Sequence, residues 1–306
     1  PSGTFAMDLA AGKWYAMPAT GEYEIPNPYA EEDLFGITYV QSADVMTLTH
    51  TGYATRELRR WGATCWGLQE APFGPPLAAP TGVTAVQTGS GTAYNYSYVV
   101  TAFPPDLISE SVKSSPATVA GNLYTSGNYI TISWSAVTDA AMYNVYKLQG
   151  GVYGYIGQTA GTSIVDDNIA PDLSIAPPNY ETVFASANNY PGACSYFEQR
   201  RCFAGTVNAP QTFWATRAGT ESTMSYSLPL RDDDRISVRV AAREANTIRH
   251  IVPLSELILL TSAAEWRVTS LNSDAITPST ISIRPQSYVG AGPAQPVIVN
   301  TNMLYA

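Results

Sequence analysis

The carboxylates best suited to catalysis are Glu198, Glu265 and Asp44, which occupy corresponding places in similar segments of the sequence. A glycosidase works with two carboxylates in one cleft, and aromatic side chains line such a cleft. The similarity between the segments explains the three acids equally well, because an acid beside a turn accepts hydrogen bonds from backbone amides. We therefore predict that the chain is not an enzyme, with a secreted glycosidase as one alternative.

A run of three aspartates, Asp232, Asp233 and Asp234, is the best candidate for a metal site, since hard cations bind clustered carboxylates. Consecutive side chains on a strand or turn point in different directions, however, and the spaced pattern D-x-D-x-D-G is missing. The sequence favours a solvated turn between Arg231 and Arg235, and it predicts neither a bound metal nor a cofactor.

The remaining nucleophiles and metal ligands form no catalytic pattern. His50 and His250 are the only histidines, and each is predicted to be a structural residue at the end of a strand. Cys65, Cys194 and Cys202 are odd in number and lack a CxxC spacing, which favours free thiols in a reducing compartment. The sequence contains no G-x-S-x-G motif and no glycine loop that leads into a helix, so it predicts neither a hydrolase serine nor a phosphate-binding loop.

Arginines cluster beside acids at three places, the first of which is Arg56, Arg59 and Arg60 around Glu57. Arg200 and Arg201 follow a glutamate, and Arg231 and Arg235 flank the aspartate run. Arginine suits paired contacts with carboxylates, so these clusters indicate ion pairs between strands or between subunits. We take seven residues as the candidate interface: Arg200, Arg201, Arg231, Asp232, Asp233, Asp234 and Arg235.

The composition favours an all-β chain with little charge on its surface. Of 306 residues, 45% are hydrophobic, 11% are aromatic and only 13% are charged, and Tyr, Pro and Gly are abundant. A surface this poor in charge predicts that partner chains cover much of it. The net charge of −9 argues against a protein that wraps around nucleic acid, but it suits a channel through which DNA slides.

A loose repeat organises the first and last parts of the chain. In each copy an apolar strand and a turn of small residues precede a strand that carries tryptophan. The copies are residues 4–15, 45–68, 196–217 and 257–268. Within the second copy, residues 56–61 are predicted to form a short exposed bridge between strands. Such a degenerate repeat is typical of a propeller-like array, in which each small sheet packs against its neighbours.

Two proline-rich stretches divide the chain. Residues 71–81 and 175–180 interrupt strand pairing, because proline lacks a backbone donor. Between them, residues 94–102 alternate tyrosine or aliphatic side chains with small or polar ones, as a half-buried strand does. We predict a propeller-like platform over residues 1–76 and 179–306, interrupted by an immunoglobulin-like sandwich over residues 77–178.

The interrupting segment resembles a fibronectin type III domain. The phrase ITISWSAVTDAAMYNVYKLQGGVYGYIGQTAGTSIVDD is similar to the first half of such a domain, in which a Trp on the second strand packs against the third. The phrase SYVVTAFPPDLISESVKSSPATV resembles the last two strands of that family, yet it comes first in this chain. The resemblance implies a circularly permuted module inserted into a loop of its host. It implies no activity.

The rest of the chain resembles the tail structural proteins of short-tailed bacteriophages. Three phrases carry the resemblance: NYPGACSYFEQRRCFAGTVNAPQTFWATRAG, LRDDDRISVRVAAREANTIRHIVPLSELILLTSAAEWRV and SDAITPSTISIRPQSYVGAG. It is dense over residues 180–306 and loose over residues 30–76. It implies a propeller-like platform repeated around a ring, which forms the nozzle or lower tail tube beneath the portal.

This resemblance also implies partners and a location. Copies of the chain would form a ring that joins the portal or adaptor and other tail proteins, and genomic DNA would pass through it. The protein would be assembled in the host cytoplasm and reside in the virion tail, without a membrane span. A carbohydrate-binding adhesin or receptor-binding tail component, with exposed Tyr and Trp along a shallow groove, is the other alternative. Because the sequence lacks an initiator Met and ends on strand-like residues, we expect a piece of a longer polypeptide.

Overall fold

The protein is built almost entirely from antiparallel β-sheets. The computed structural model describes residues 5–8, 13–16, 24–241, 246–300 and 302–306, with the backbone alone in the first two ranges. Strands account for 45% of the residues and helix for 2%, so the prediction of an all-β chain is confirmed. The described residues contain no helix long and apolar enough to cross a membrane.

Short strands joined by turns follow one another along the described chain. In order they are β1 Phe5–Asp8, β2 Lys13–Ala16, β3 Thr38–Ser42, β4 Val45–His50, β5 Tyr53–Gly62, β6 Cys65–Glu70, β7 Thr84–Thr88, β8 Tyr94–Phe103, β9 Ala117–Gly121, β10 Tyr129–Ser133, β11 Met142–Gln149, β12 Val152–Thr159, β13 Ser163–Asp166, β14 Asn179–Tyr180, β15 Ala193–Phe197, β16 Arg200–Ala204, β17 Thr212–Ala215, β18 Ser225–Tyr226, β19 Ile236–Arg239, β20 Ile248–Pro253, β21 Leu257–Thr261, β22 Glu265–Ser270, β23 Ile281–Ser287, β24 Val297–Val299 and β25 Asn302–Leu304. A 3-10 helix, Glu31–Gly36, precedes β3. The turn expected at residues 9–12 lies outside the described residues.

The chain divides into two compact units. Unit 1 comprises residues 1–73, 182–222 and 235–306, and unit 2 comprises residues 74–181 and 223–234. The second piece of unit 2 belongs there because its strand β18 pairs with β14. The predicted boundaries after residues 76 and 178 are boundaries between domains that fold independently. Division into compact units does not test independent folding, so these boundaries stay predictions.

Three four-stranded sheets form most of the described part of unit 1, together with the two-stranded pairs β1-β2 and β24-β25. Sheet I has the order β3-β4-β5-β6, sheet II the order β15-β16-β17-β19, and sheet III the order β20-β21-β22-β23. Each is a meander of neighbouring strands, as the repeated pattern of strand, turn and Trp-bearing strand predicts. In sheet II, for example, Phe203 on β16 lies opposite Trp214 on β17. The first strand of sheet II, β15, contacts the first strands of both other sheets, β3 and β20.

An apolar core joins sheets II and III. Its buried members include Phe213 and Ile236 from sheet II and Leu257, Leu259 and Trp266 from sheet III. The two sheets approach each other closely at Gly205, where φ is +71° and an added Cβ would lie 2.2 Å from the carbonyl oxygen of Ile248. Only glycine fits such a position, because any side chain would collide with backbone.

The surface between sheets I and II is more polar. Side chains at alternate positions of β4 and β5 are buried there: Val45, Thr47, Thr49, Thr55 and Glu57. The prediction of an exposed bridge over residues 56–61 is therefore wrong, since these residues belong to the ten-residue strand β5. Successive side chains of a strand point to opposite faces, so Thr55 and Glu57 are buried while Arg56 and Leu58 between and beyond them are less so.

Unit 2 contains two sheets with a shared core. A three-stranded sheet has the order β13-β10-β7, and a four-stranded sheet has the order β12-β11-β8-β9. Ile130 and Ile132 on β10 pack in one apolar cluster with Tyr98 and Val100 on β8. Trp134 follows β10 and lies 5.4 Å from the ring of Tyr143 on β11. The periodic strands predicted from residues 94–102 and 130–134 are the elements that supply this core.

Candidate functional site

Glu57 on sheet I and Arg201 on sheet II form a buried ion pair inside unit 1. Arg201 Nη1 lies 2.6 Å from Glu57 Oε1, and both side chains are 0% exposed. The two residues are 144 positions apart in sequence. A charge removed from water in this way is tolerated only with an opposite charge and further hydrogen bonds beside it. The pair is therefore an obligatory contact between the two sheets.

Two further charged groups extend the pair towards solvent. Arg59 lies 2.7 Å from Glu57 Oε2, and Glu221 lies 3.0 Å from Arg59 and 3.2 Å from Arg201. Arg201 also donates from Nε to the hydroxyl of Tyr196 at 3.1 Å. We call Glu57, Arg59, Arg201 and Glu221 the inter-sheet network. Its two guanidinium groups balance its two carboxylates.

The charge balance of the inter-sheet network shows in the pKa of Arg59. Burial by itself lowers that pKa, but the neighbouring Glu57 and Glu221 carboxylates outweigh burial and raise it above its ordinary value. The guanidinium therefore stays charged, and it continues to pair with the carboxylates that join the two sheets. The network holds sheets I and II together and contains no nucleophile, so its role is structural.

Arg200 and Arg201, the first two candidate interface residues, are interior residues of the chain. Arg200 is 2% exposed and donates from Nη1 to the carbonyl oxygen of Thr216 at 2.8 Å. Arg201 serves the inter-sheet network. The sequence allows ion pairs between strands or between subunits, and Arg201 forms one between strands. A subunit contact through either residue stays a prediction.

The other five candidate interface residues lie on a turn after β18, where Asp234 is buried rather than solvated. The Asp234 carboxylate accepts hydrogen bonds from the backbone amides of Ser227 and Arg231, both at 2.8 Å. Asp233 pairs with Arg231 at 3.4 Å on the partly exposed side of the turn. Asp232 is exposed and Arg235 half-buried. The described residues hold no group of three or more His, Cys, Asp or Glu side chains that could bind a metal ion.

The three carboxylates considered for catalysis each have a separate local partner. Glu198 accepts from the backbone amide of Ile276 at 2.6 Å, which is the turn-stabilising role that the sequence offers for it. Glu265 accepts from the hydroxyl of Tyr305 at 2.5 Å, and Asp44 lies 3.5 Å from Arg60.

Glu198 also borders a cleft of about 320 Å³ in unit 1. The cleft is lined by Phe197, Glu198, Ser255, Glu256, Val268, Thr269, Ser270, Ser273, Asp274 and Ile276. Neither Glu265 nor Asp44 lines it. The structure thus does not bring the sequence-predicted carboxylates together in this cleft.

The histidines have structural partners. His250 is bonded through Nε2 to the carbonyl oxygen of Gly292 at 3.0 Å, and burial lowers its pKa. It lies within β20, so its expected place at the end of a strand is wrong. His50 is the last residue of β4 and accepts at Nδ1 from the amide of Gly52 at 3.1 Å.

All three cysteines are free thiols. Cys194 and Cys202 are buried in sheet II, and burial raises the pKa of each thiol to about 12. Cys65 is partly exposed. A thiol with so high a pKa is almost wholly protonated at neutral pH, so Cys194 and Cys202 are poor nucleophiles.

The sequence marks Glu57, the central acid of the inter-sheet network, as an acid beside clustered arginines, but it does not identify Arg201 as its partner. The available signal was the alternation of Thr55, Glu57 and Arg59 along one strand, which places all three on one face. Comparison with known proteins adds no further residue: no protein-family model matches the chain, and no curated protein is significantly similar to it in sequence.

Proposed function

We propose that the chain is a structural subunit of the tail of a short-tailed bacteriophage, in which copies form a ring-shaped nozzle or tube. The observation that carries this proposal is the arrangement of unit 1. Three antiparallel meanders follow one another, and the first strand of the middle sheet, β15, contacts the first strands of both neighbours. First strands gathered in this way are typical of a propeller-like platform.

Unit 2 supports the fibronectin-like part of the proposal through its strand order. The strands β8 and β9, which the resemblance matches to the last two strands of the fibronectin type III family, share a four-stranded sheet with β11 and β12, although they precede them in the chain. That order is the one expected of a circularly permuted, inserted module.

The C-terminal hairpin offers a surface for a second copy of the chain. Met303 and Tyr305 pack against the buried side chains of Val252 and Leu260. The opposite side remains in solvent, with Val297 57% and Leu304 61% exposed. Residues 285–306 carry no charged side chain at all. An uncharged, apolar hairpin of this kind fits a neighbouring subunit better than it fits water.

The charge of the chain is compatible with a DNA conduit. With a net charge of −9, a ring of copies would repel the phosphate backbone rather than retain it. The portal or adaptor above and other tail proteins outside are the partners that this role requires. The mechanism is mechanical: ring closure, sealing, and an open path for the genome.

The mass of the assembled particle tests this function. We expect light scattering of the full chain to give a multiple of the monomer mass, 32.8 kDa, and negative-stain images to show a ring with an axial hole. Val297→Lys on the exposed hairpin should prevent assembly, since it adds a charge to an apolar contact. Val86→Lys, at 61% exposure on β7, is the matched control. A chain that stays monomeric with and without the portal protein would contradict the proposal.

A further inference from the structure

A concavity of about 660 Å³ lies among the loops at one end of unit 2. It is lined by Leu123, Tyr124, Thr125, Ser126, Gly127, Asn128, Tyr129, Val165, Asp167 and Asn168. Its size falls in the range of sites that hold small molecules. Nothing in the proposed tail role of the chain uses this concavity.

Two exposed tyrosines present their rings at the concavity. Tyr124 is 72% exposed and Tyr129 is 36% exposed. Tyr124 is held in place by an edge-to-face contact with Tyr94, whose ring centre lies 5.2 Å away. Two exposed aromatic residues that line one concavity provide apolar area for a ligand to cover.

Uncommitted polar groups lie beside these rings. The hydroxyls of Tyr124 and Tyr129 and the carboxylate of Asp167 have no hydrogen-bond partner in the described part of the chain. Asp167 is exposed, while the preceding residue, Asp166, is 0% exposed and accepts from the amides of Asn168 and Ile169. These bonds fix the backbone that carries Asp167, so the carboxylate is displayed from a rigid support.

The loop that carries Tyr124 is also organised in advance. The side-chain amide of Asn128 donates to the carbonyl oxygens of Ser90 and Asn122, each at 2.7 Å. The side chain of Asn122 in turn accepts from the amide of Tyr124 at 3.0 Å. Because this loop is ordered before binding, a ligand loses less affinity to the ordering of its site.

We propose that this concavity binds a neutral carbohydrate. A pyranose ring stacks its C–H face on an aromatic ring, and its hydroxyls donate to carboxylates and amide oxygens, such as those of Asp167 and Asn168. The lining residues include no Lys or Arg, which argues against nucleic acid and against phosphorylated ligands. The Asp167 carboxylate repels acidic sugars. The inserted module would thereby give the tail a weak hold on a polysaccharide surface.

Binding to a glycan array, followed by saturation-transfer NMR on the full chain, tests this proposal. We use maltoheptaose and cellohexaose as neutral probes and a sialylated oligosaccharide as the acidic probe. A neutral probe should bind in the millimolar range, and Tyr124→Ala or Asp167→Ala should weaken it about tenfold. Tyr288→Ala, which removes a tyrosine that is 78% exposed in unit 1, is the matched control and should leave binding unchanged.

Several results would overturn the proposal. Absence of binding by every neutral glycan on the array would do so, as would a preference for the sialylated probe. Equal affinity of the parent chain and Tyr124→Ala for the neutral probe would show that the glycan does not bind in this concavity. The thermal midpoint of each variant shows that its fold is intact. Particle mass is measured in parallel, so a failure of ring assembly is distinguished from a failure of this site.

Discussion

Each unit contains a deeply buried ion pair that joins two sheets, but the two pairs are built differently. In unit 1 the pair is Arg201 with Glu57, at 2.6 Å. In unit 2 it is Lys147 on β11 with Asp166 at the end of β13, at 2.8 Å. Both carboxylates are 0% exposed. The difference lies in what else each carboxylate contacts.

Glu57 depends on cations, whereas Asp166 is satisfied largely by neutral donors. Glu57 is paired with two guanidinium groups, those of Arg59 and Arg201, while the neutral side-chain amide of Gln69 donates to it only at 3.5 Å. Asp166 accepts from the hydroxyl of Tyr98 at 2.7 Å and from two backbone amides, in addition to Lys147. A carboxylate with several close neutral donors tolerates the loss of its cation better than one held chiefly by cations.

The largest expected effect follows from removal of Arg201. Arg201→Met should lower the free energy of unfolding by about 3–5 kcal/mol, because Glu57 is then a buried charge that has lost its closest partner. Urea denaturation measures the change. Arg60→Met is the control, since Arg60 and Asp44 form an exposed pair and the loss there should be about 1 kcal/mol or less. Adding Glu57→Leu to Arg201→Met should recover stability; no recovery would contradict the account of a stranded charge.

Removal of Lys147 should cost less. Lys147→Met leaves Asp166 with Tyr98 and two amides, so we expect a loss of about 2–3 kcal/mol in the same assay. Lys113, the exposed lysine of unit 2, gives the control variant Lys113→Met, for which a change within about 0.5 kcal/mol is expected. If Lys147→Met proved more damaging than Arg201→Met, the contrast between the two pairs would be wrong.

The hydroxyl of Tyr98, the side-chain neutral donor to Asp166, can be removed separately from Lys147. Burial, together with the Asp166 carboxylate, raises the pKa of Tyr98 far above its ordinary value, so its hydroxyl remains a donor at all accessible pH. Tyr98→Phe should lower the free energy of unfolding by about 1.5 kcal/mol, the value of one hydrogen bond to a charged group. Combined with Lys147→Met, it should cost more than the sum of the single changes, because the two donors then cannot substitute for each other.

The smallest expected effect is a pH dependence of stability that arises in unit 1 from His250. Burial lowers the pKa of His250 from 6.5, so below about pH 6.5 the unfolded chain binds a proton that the folded chain resists. The stability due to this residue is complete above that pH and falls as the pH drops towards the folded pKa. The sequence has only two histidines, His50 and His250, and both belong to unit 1.

The readout is the urea midpoint between about pH 8 and about pH 5, compared with that of His250→Gln. The glutamine keeps a donor for Gly292 but does not titrate. The parent chain should lose more stability than the variant as the pH falls. Identical pH profiles would show that His250 contributes nothing.

Local pattern predicted the strands well and the charged contacts poorly. The alternation over residues 94–102 predicts the strand β8, but Val99 and Thr101 on its supposedly solvated face are buried as well. The reason is a later segment: Glu110 accepts from the hydroxyls of Thr101 and Tyr146 on that face, while the backbone amides of Ser111 and Ser114 pair with the edge of β8. Such coverage depends on tertiary contacts, which strand periodicity does not encode.

The inter-sheet network shows the same limit more strongly. Its central acid and its central arginine come from segments on either side of unit 2, so no local window contains both. Clustered arginines beside acids do predict ion pairs, but they do not name the partner. Pairing Arg201 with Glu57 required the contact between sheets I and II, which only the folded chain reveals.

The polar inner face of sheet I has a consequence for synthesis on the ribosome. Glu57 emerges 144 residues before Arg201, which at about 5–20 residues per second is a delay of roughly 7–30 s. During that interval the surface awaiting sheet II presents Thr47, Thr49, Thr55 and Glu57. A waiting surface of threonines and one carboxylate stays hydrated, where an apolar one would adhere to other nascent chains. Residues 74–181 of unit 2 thus lengthen this delay, and the threonines and the glutamate limit adhesion during it.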